Sequence, residues 1–504
     1  MWLAALVVLL LVALPPFVCM ELHMDPLLFD TYARTLQRGG VMYRDSCEVN
    51  LPGMTWLHWG IRSTLGWRSE TLRAVDLLVM GSVVVLLVCW FPGLAASWRF
   101  GLAIALVVFY VTRSEWCHVQ RDPWMLLPAL GALYLRRGRR LPFVEGMLWA
   151  VAFWIKPYVA VPVSCVWLTS AWLDRRDGVS VSRLLVDVAA LLAGGATVGA
   201  LGIAWMVRSG AWPYFVETVK VWSPEYYQFD ESEGMPFYRF AGVCVRFFPW
   251  IFIHLIAVPA AIQSLRRADQ SGRLMAALYL GWLFQTIVLQ HNLFDYIQSP
   301  AILLGVAVVV GQTGRESNSA LRRLMVAFVG VCVLACVPVL ARRLEVWPRC
   351  WREGSSAELR DRLSVLRKVN WQALERSANY LRSRQVSDGE VSCFSIVTSP
   401  LYRELDVEAP TRFHYLQNDW RAFRRQRPSI LADLAASRQR FVVVDLAWHG
   451  IEVNLEQLDE PSEPPLPPSW ERWKSQIVYR AERYAVLEIP AAEMPAWMTE
   501  CFSD

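Results

Sequence analysis

Apolar runs of about 15–22 residues, separated by short charged clusters, constrain this chain more than any other feature of its sequence. A helix of that length matches the hydrocarbon thickness of a bilayer. Candidate spans fall at 1–20, 74–92, 99–113, 122–136, 142–156, 158–173, 184–207, 247–264, 274–290, 296–312 and 322–341. The sequence therefore predicts a mainly α fold, a polytopic transmembrane helical bundle of about eleven helices. Composition agrees, with 55% hydrophobic residues, 19% charged and 25 tryptophans in 504 residues. The net charge of +5 is modest and calls for no nucleic-acid partner. The first run, MWLAALVVLLLVALPPFVC, has no basic segment before it, so it is expected to stay as an uncleaved span.

Orientation follows from the basic clusters. Arg136-Arg137-Gly138-Arg139-Arg140, Arg175-Arg176 with Arg183, Arg266-Arg267 with Arg273, and Arg315 with Arg322-Arg323 all fall on one side under this count. The positive-inside rule makes that side cytoplasmic. The 21–73 loop, the 114–121 turn, the 208–246 loop and everything after 342 then face outward, in a multi-pass protein of the inner (cytoplasmic) membrane. Two domains are expected: a transmembrane domain over 1–344 with its functional outer loop at 21–73, and an extracytoplasmic α/β domain over 345–504. The second is read from an amphipathic helix at 355–385, a helix at 429–436 and strands at 391–397, 441–446 and 484–489, with a Pro-rich linker at 460–468. Cys47, Cys350, Cys393 and Cys501 lie in polar regions and could pair in an oxidising compartment; the other cysteines examined sit in or beside apolar runs.

Four outward features could carry chemistry. The first is Asp25 with Asp30, on a loop entering a helix whose apolar face is Leu28, Phe29, Tyr32, Ala33 and Leu36. Asp25 before Pro26 also suits a helix N-cap, and Asp30 suits an ion pair with Arg34 one turn on. The second is the turn Trp116–Trp124, where Arg121 and Asp122 begin a helix; an interfacial charge pair with tryptophan anchors is the plainer account. The third is Lys156, the only basic residue in an apolar stretch of roughly thirty, followed by Pro157. It could hold a lipid phosphate as a point charge, or snorkel to the interface. The fourth is the 208–246 loop with Glu225 and Tyr226, together with His291 and Tyr296. Aromatic rings beside carboxylates suit a sugar's apolar faces and hydroxyl edges.

A carboxylate, a cation and aromatic surface above a greasy bundle suit a lipid donor and a polar acceptor. In sugar transfer from a polyprenyl phosphate, the carboxylate takes the acceptor proton and cations stabilise the departing phosphate. The order Asp25, Tyr32-Ala33-Arg34, Leu36, Gly39-Gly40, Tyr43-Arg44-Asp45 and Pro52-Gly53 resembles the glycosyltransferase C superfamily. The closest group is the family 39-like bacterial relatives of protein mannosyltransferases and lipid A aminoarabinose transferases. Gln120-Arg121-Asp122 followed by Leu126-Leu127-Pro128, and Lys156-Pro157-Tyr158, are similar to segments of the same group. The resemblance covers about residues 1–310. It implies an inverting transferase that moves a sugar from a polyprenyl-phosphate donor to an extracytoplasmic lipid, glycan or protein acceptor.

On that resemblance Asp25, Asp30 and Asp122 are the catalytic candidates, with Asp25 as the base and Asp30 as its alternative. Lys156 and Arg121 would bind donor phosphate; Tyr43, Arg44, Asp45, Glu225, Tyr226, His291 and Tyr296 would contact sugar or acceptor. No metal ligand set is legible, although some members of the group use a divalent metal ion. Two other classes fit the composition: a transporter or flippase of lipid-linked glycans, and a non-catalytic envelope assembly protein. Neither paired repeats nor midplane helix breaks, the usual marks of transport, are legible.

Overall fold

The computed structural model describes residues 2–138, 141–232, 236–290, 294–314, 319–447 and 468–502. All eleven apolar stretches are helical. They correspond to α1 (Trp2–Cys19), α4 (Ser69–Cys89), α5 (Ala96–Thr112), α6 (Arg121–Gly138), α7 (Pro142–Ile155), α8 (Ala160–Arg176), α9 (Val181–Arg208), α13 (Ile253–Arg267), α14 (Gln270–Phe284), α15 (Asp295–Thr313) and α16 (Ser319–Glu353). Between them lie α2 (Met24–Gln37) and α3 (Gly53–Leu65) in the first loop, and α10 (Trp212–Glu217), α11 (Ser223–Ser232) and α12 (Pro236–Arg246) in the 208–246 segment. Among the described residues six helices are each long and apolar enough to cross a bilayer, or eight if each of two bent pairs counts as one span. That count rests on length and composition; α7, with 14 residues, reaches only about 21 Å.

The bundle is organised around α15. Almost its whole length is buried, so it reads as apolar on every side. Helices α9 and α16 are the opposite case, apolar yet largely exposed, as lipid-facing surfaces require. Close crossing of α7 and α9 depends on two glycines. A Cβ on Gly146 would lie 1.9 Å from the Leu191 carbonyl oxygen, and one on Gly194 would lie 1.9 Å from that of Phe143. Small residues at such a crossing let backbones meet where lipid offers no hydrophobic drive. At the opposite end of α6 from Asp122, Arg136 is buried and bonds Glu145 at 2.8 Å and Asp187 at 2.5 Å.

The C-terminal part is α/β. It holds α17 (Ala357–Leu363), α18 (Trp371–Ser383), α19 (Pro400–Leu405), α20 (Leu416–Ala422), α21 (Arg427–Ala435) and α22 (Met494–Phe502). Its sheet has the order β1 (Val391–Cys393), β2 (Phe441–Asp445), β4 (Tyr484–Glu488), β3 (Ile477–Ala481), with β1 parallel to β2 and the other pairs antiparallel. Strand β2 is buried throughout. Phe441 and Val443 face a core with Leu374 and Leu381 of α18, while Val442 and Val444 face Trp420, Trp470 and Trp497. The half-buried edge strand β3 had no counterpart in the sequence expectations. The Pro-rich linker falls mostly outside the described residues.

The single helix expected over 355–385 is two. It breaks at 364–370, where Arg367 has φ +48° and Asn370 caps α18 by accepting from the Ala373 N–H at 3.0 Å. None of Cys47, Cys350, Cys393 and Cys501 is bonded to another. Cys350 instead lies against Cys19, whose Sγ donates to the Cys350 carbonyl at 3.5 Å.

Candidate active site

Four chain segments converge at the N-terminal ends of α2, α6 and α15. Helix α2 begins behind His23, whose Nδ1 accepts from the Asp25 N–H at 3.4 Å. His23 is therefore the N-cap, and Asp25, expected as a possible cap, stands in the first helical turn. That frees its carboxylate to point away from the helix end. Asp25 Oδ2 accepts from the Trp116 indole at 3.0 Å and the Gln120 amide at 3.4 Å, and its side chain stays 34% exposed. Burial alone would raise this carboxyl. His23, the Trp116 bond and the Lys368 ammonium outweigh it and hold the group down at about 2.

Asp122 lies two residues after Gln120 and is fully buried. Its partner is Lys156, with Nζ 2.7 Å from Oδ2, and Gln290 donates to Oδ1 at 3.3 Å. The expected interfacial pair of Arg121 with Asp122 is thus replaced by a pair across two helices. Lys156 is not snorkelling: it is nearly buried, with Nζ 5.3 Å from the Tyr296 ring centre and 5.7 Å from that of Tyr158. Arg121 turns the other way, donating to the Asn50 side chain and lying over Phe29. Tyr296 starts the central helix α15 and completes the group, its ring 6.3 Å from Trp116. Asp25, Arg121, Asp122, Lys156 and Tyr296 thus share one cluster.

The other candidates are placed differently. Asp30 is 2% exposed and receives His58 Nδ1 at 2.9 Å and Arg62 at 3.0 and 2.5 Å. It does not pair with Arg34, which reaches Asp406 at 2.8 Å; Asp30 lies inside the α2–α3 packing. Burial is outweighed there by Arg62 and His58, so its carboxyl falls well below the usual range. Tyr43 is buried at φ +67° and donates to the Asn50 carbonyl at 2.9 Å, which links it to Arg121 through Asn50. Arg44 and Asp45 pair with each other at 2.7 Å on the surface. Glu225 and Tyr226 face the C-terminal part: Glu225 accepts the Arg425 N–H, and the Tyr226 ring lies 6.2 Å from Phe423. His291 lies outside the described residues. Trp124, expected as a membrane anchor, is buried and donates to Asp76 at 2.7 Å.

Beside the cluster runs an apolar groove of about 450 Å³ lined by Trp56, Trp59, Trp154 and Trp205 with Gly53 and Gly202. Trp154 stands two residues before Lys156. A Cβ on Gly53 would come within 2.3 Å of the Trp154 carbonyl, so glycine keeps the first loop against the end of α7. Two participants went unnoticed in the sequence: His23, which caps α2, and Lys368, whose charge acts on Asp25. Gln120, which bonds Asp25, had a signal in its place in the Gln120-Arg121-Asp122 run. Among the described residues no three His, Cys, Asp or Glu side chains gather as a metal ion would need.

Comparison with solved structures yields crystal structures of ArnT from Cupriavidus metallidurans. The apo form matches with a TM-score of 0.50, and the form bound to undecaprenyl phosphate with 0.53. Each match covers 96% of this chain and 97% of ArnT at 14% identity. No protein-family model and no curated protein sequence matches the chain. The chain is thus a multi-pass helical membrane protein with the fold of those two structures.

Proposed function

We propose that this protein is an inverting glycosyltransferase that moves a sugar from a polyprenyl-phosphate donor to a polar acceptor, with Asp25 as general base. The observation that carries the reading is the setting of Asp25. It is a partly exposed carboxylate, ionised at neutral pH, beside a buried Asp122–Lys156 pair at the end of a tryptophan-lined apolar groove. A soluble enzyme has no use for that groove, and a lipid-linked donor has.

In this reading the polyprenyl chain lies along Trp56, Trp154 and Trp205, and its phosphate reaches Lys156 and Arg121. Asp25 takes the proton from the acceptor hydroxyl as that oxygen attacks the anomeric carbon. The bond from that carbon to the phosphate oxygen breaks and its electron pair leaves with the polyprenyl phosphate. The nearby cations stabilise the charge that builds there. No general acid is required, because the phosphate leaves as a stable anion. Lys156, held by Asp122, is pre-oriented rather than free, so it meets the phosphate at little entropic cost. The site faces outward from the cytoplasmic membrane, and the C-terminal domain helps to hold the acceptor.

The test is Asp25→Asn in purified full-length protein given radiolabelled polyprenyl-phosphate sugars. Transfer is expected to fall by about 10²–10⁴-fold with the melting temperature unchanged. Undiminished transfer by the folded variant refutes the assignment.

A further inference from the structure

Two ammonium groups flank one aromatic row. Lys156 Nζ is 5.3 Å from the Tyr296 ring centre, Lys368 Nζ is 4.6 Å from that of Trp116, and the two rings are 6.3 Å apart. The cations differ in one respect. Lys156 is neutralised by Asp122 at 2.7 Å, whereas Lys368 makes no ion pair with a described carboxylate. Asp25, Asp295 and Glu115 act on it only from farther away, and Arg246 opposes them. Lys368 is also an import. It comes from the 364–370 break in the C-terminal part, and Glu115 fixes that break by accepting from Ser364 Oγ at 2.6 Å and from the Val365 and Leu366 N–H groups at 3.0 and 3.1 Å. Glu115 immediately precedes Trp116, so one turn positions both the indole that bonds Asp25 and the loop that delivers the lysine.

Inversion places the attacking and departing oxygens on opposite faces of the sugar carbon. Asp25 marks the attacking side, and Lys368 stands at that end of the row, over the ring that bonds Asp25. We propose that Lys368 is an acceptor-specificity residue: it binds a negatively charged group, phosphate or carboxylate, on the acceptor beside the hydroxyl that Asp25 deprotonates. The inference rests on Asp25 being the base. An ammonium over an indole with no carboxylate in contact carries a charge that no described side chain neutralises, and an anionic group on the acceptor would neutralise it.

The test uses full-length protein in nanodiscs consuming its polyprenyl-phosphate sugar, with phenyl phosphate, benzoate and the neutral benzyl alcohol as acceptor-side probes. In the wild type at least one anion inhibits tenfold or more strongly than benzyl alcohol, and does so at saturating donor. The stronger anion tells phosphate from carboxylate. Lys368→Met erases the preference and Lys368→Arg keeps it; Lys368→Gln replaces the Met variant if that one does not fold. The proposal is overturned if the wild type shows no preference, if saturating donor relieves the inhibition, or if Lys368→Met retains the preference. It is equally overturned if Lys368→Met raises the donor KM tenfold, which puts the cation on the leaving-group side. Donor consumption that survives Asp25→Asn overturns the parent reading instead.

Discussion

Asp30 and Asp25 stand five residues apart on one helix, and replacing each by asparagine separates a structural carboxylate from a chemical one. Asp30 is 2% exposed, with Arg62 and His58 fully buried against it. At an effective dielectric of about 20, unit charges about 3 Å apart attract by roughly 6 kcal/mol before desolvation is counted. Much of that is cancelled by taking both ions out of water, yet removing one partner leaves the other buried and unpaired, at a cost of about 3–5 kcal/mol. Arg62 keeps bonds to the Gly66 and Arg68 carbonyls, which favours the lower end of that range. Asp30→Asn should therefore lose about 3 kcal/mol, a drop of roughly 5 °C in detergent by the usual conversion for large domains. Thermal unfolding followed by tryptophan fluorescence measures it, with donor consumption assayed below the transition. Arg62→Met added to Asp30→Asn should recover more than half of the loss, because the pair is then absent as a whole. A variant that melts like the wild type yet has no activity refutes the reasoning and makes Asp30 the base.

Acid should weaken the protein in a defined window. Glu21, Asp25 and Asp30 all have folded pKa values below their unfolded ones, Asp25 at about 2. The stability they provide is complete above the unfolded values near pH 4 and is lost as pH falls toward the folded ones. Their contribution should thus be constant from about pH 7 to 5 and be lost below pH 4, read as a shallower acid decline of the unfolding midpoint in Asp30→Asn than in the wild type. Lys156→Met should destabilise by about 3–5 kcal/mol by stranding Asp122, whereas Lys156→Met with Asp122→Asn should melt near the wild type and, under the proposed function, bind a polyprenyl phosphate at least tenfold more weakly. Gly194→Leu should force α7 from α9 and cost at least 1–3 kcal/mol, read as a lower melting temperature, with Gly194→Ala intermediate.

What the sequence made legible was set by period and by topology. Runs of apolar residues located every helix of the bundle, because lipid demands uninterrupted apolar surface. They could not fix how many helices cross, since α7 is short and two helix pairs are bent by more than 40°. Asp25, Asp122 and Lys156 could be singled out because charge beside an apolar run is costly wherever it occurs. Their partners could not. The bond of Lys156 to Asp122 joins residues 34 apart in the chain, and that of Asp30 to Arg62 spans 32. Nothing local distinguishes Arg62 from Arg34 as the partner of Asp30, and the nearer residue was the wrong choice. Lys368 was invisible for a further reason: it sits in what pattern alone reads as the middle of one amphipathic helix.

The packing also redraws the boundary at residue 345. One hydrophobic core contains Leu22, Met24, Phe29 and Tyr32 of the first loop together with Leu374 and Leu381 of α18 and Val391 and Val443 of the sheet. Above it, Glu21 is clamped by Arg403 at 2.9 Å and Arg360 at 3.0 Å, and the Tyr415 hydroxyl donates to the Met24 carbonyl. These contacts flank His23 and Asp25 on both sides in the chain. The position of Asp25 is thus determined as much by the C-terminal part as by the bundle. An apolar core shared in this way does not come apart without exposing α2, so cutting the chain near 354 should remove the geometry of Asp25 along with Lys368. Under the proposed function the C-terminal part is therefore one wall of the site, packed against the first loop through that core.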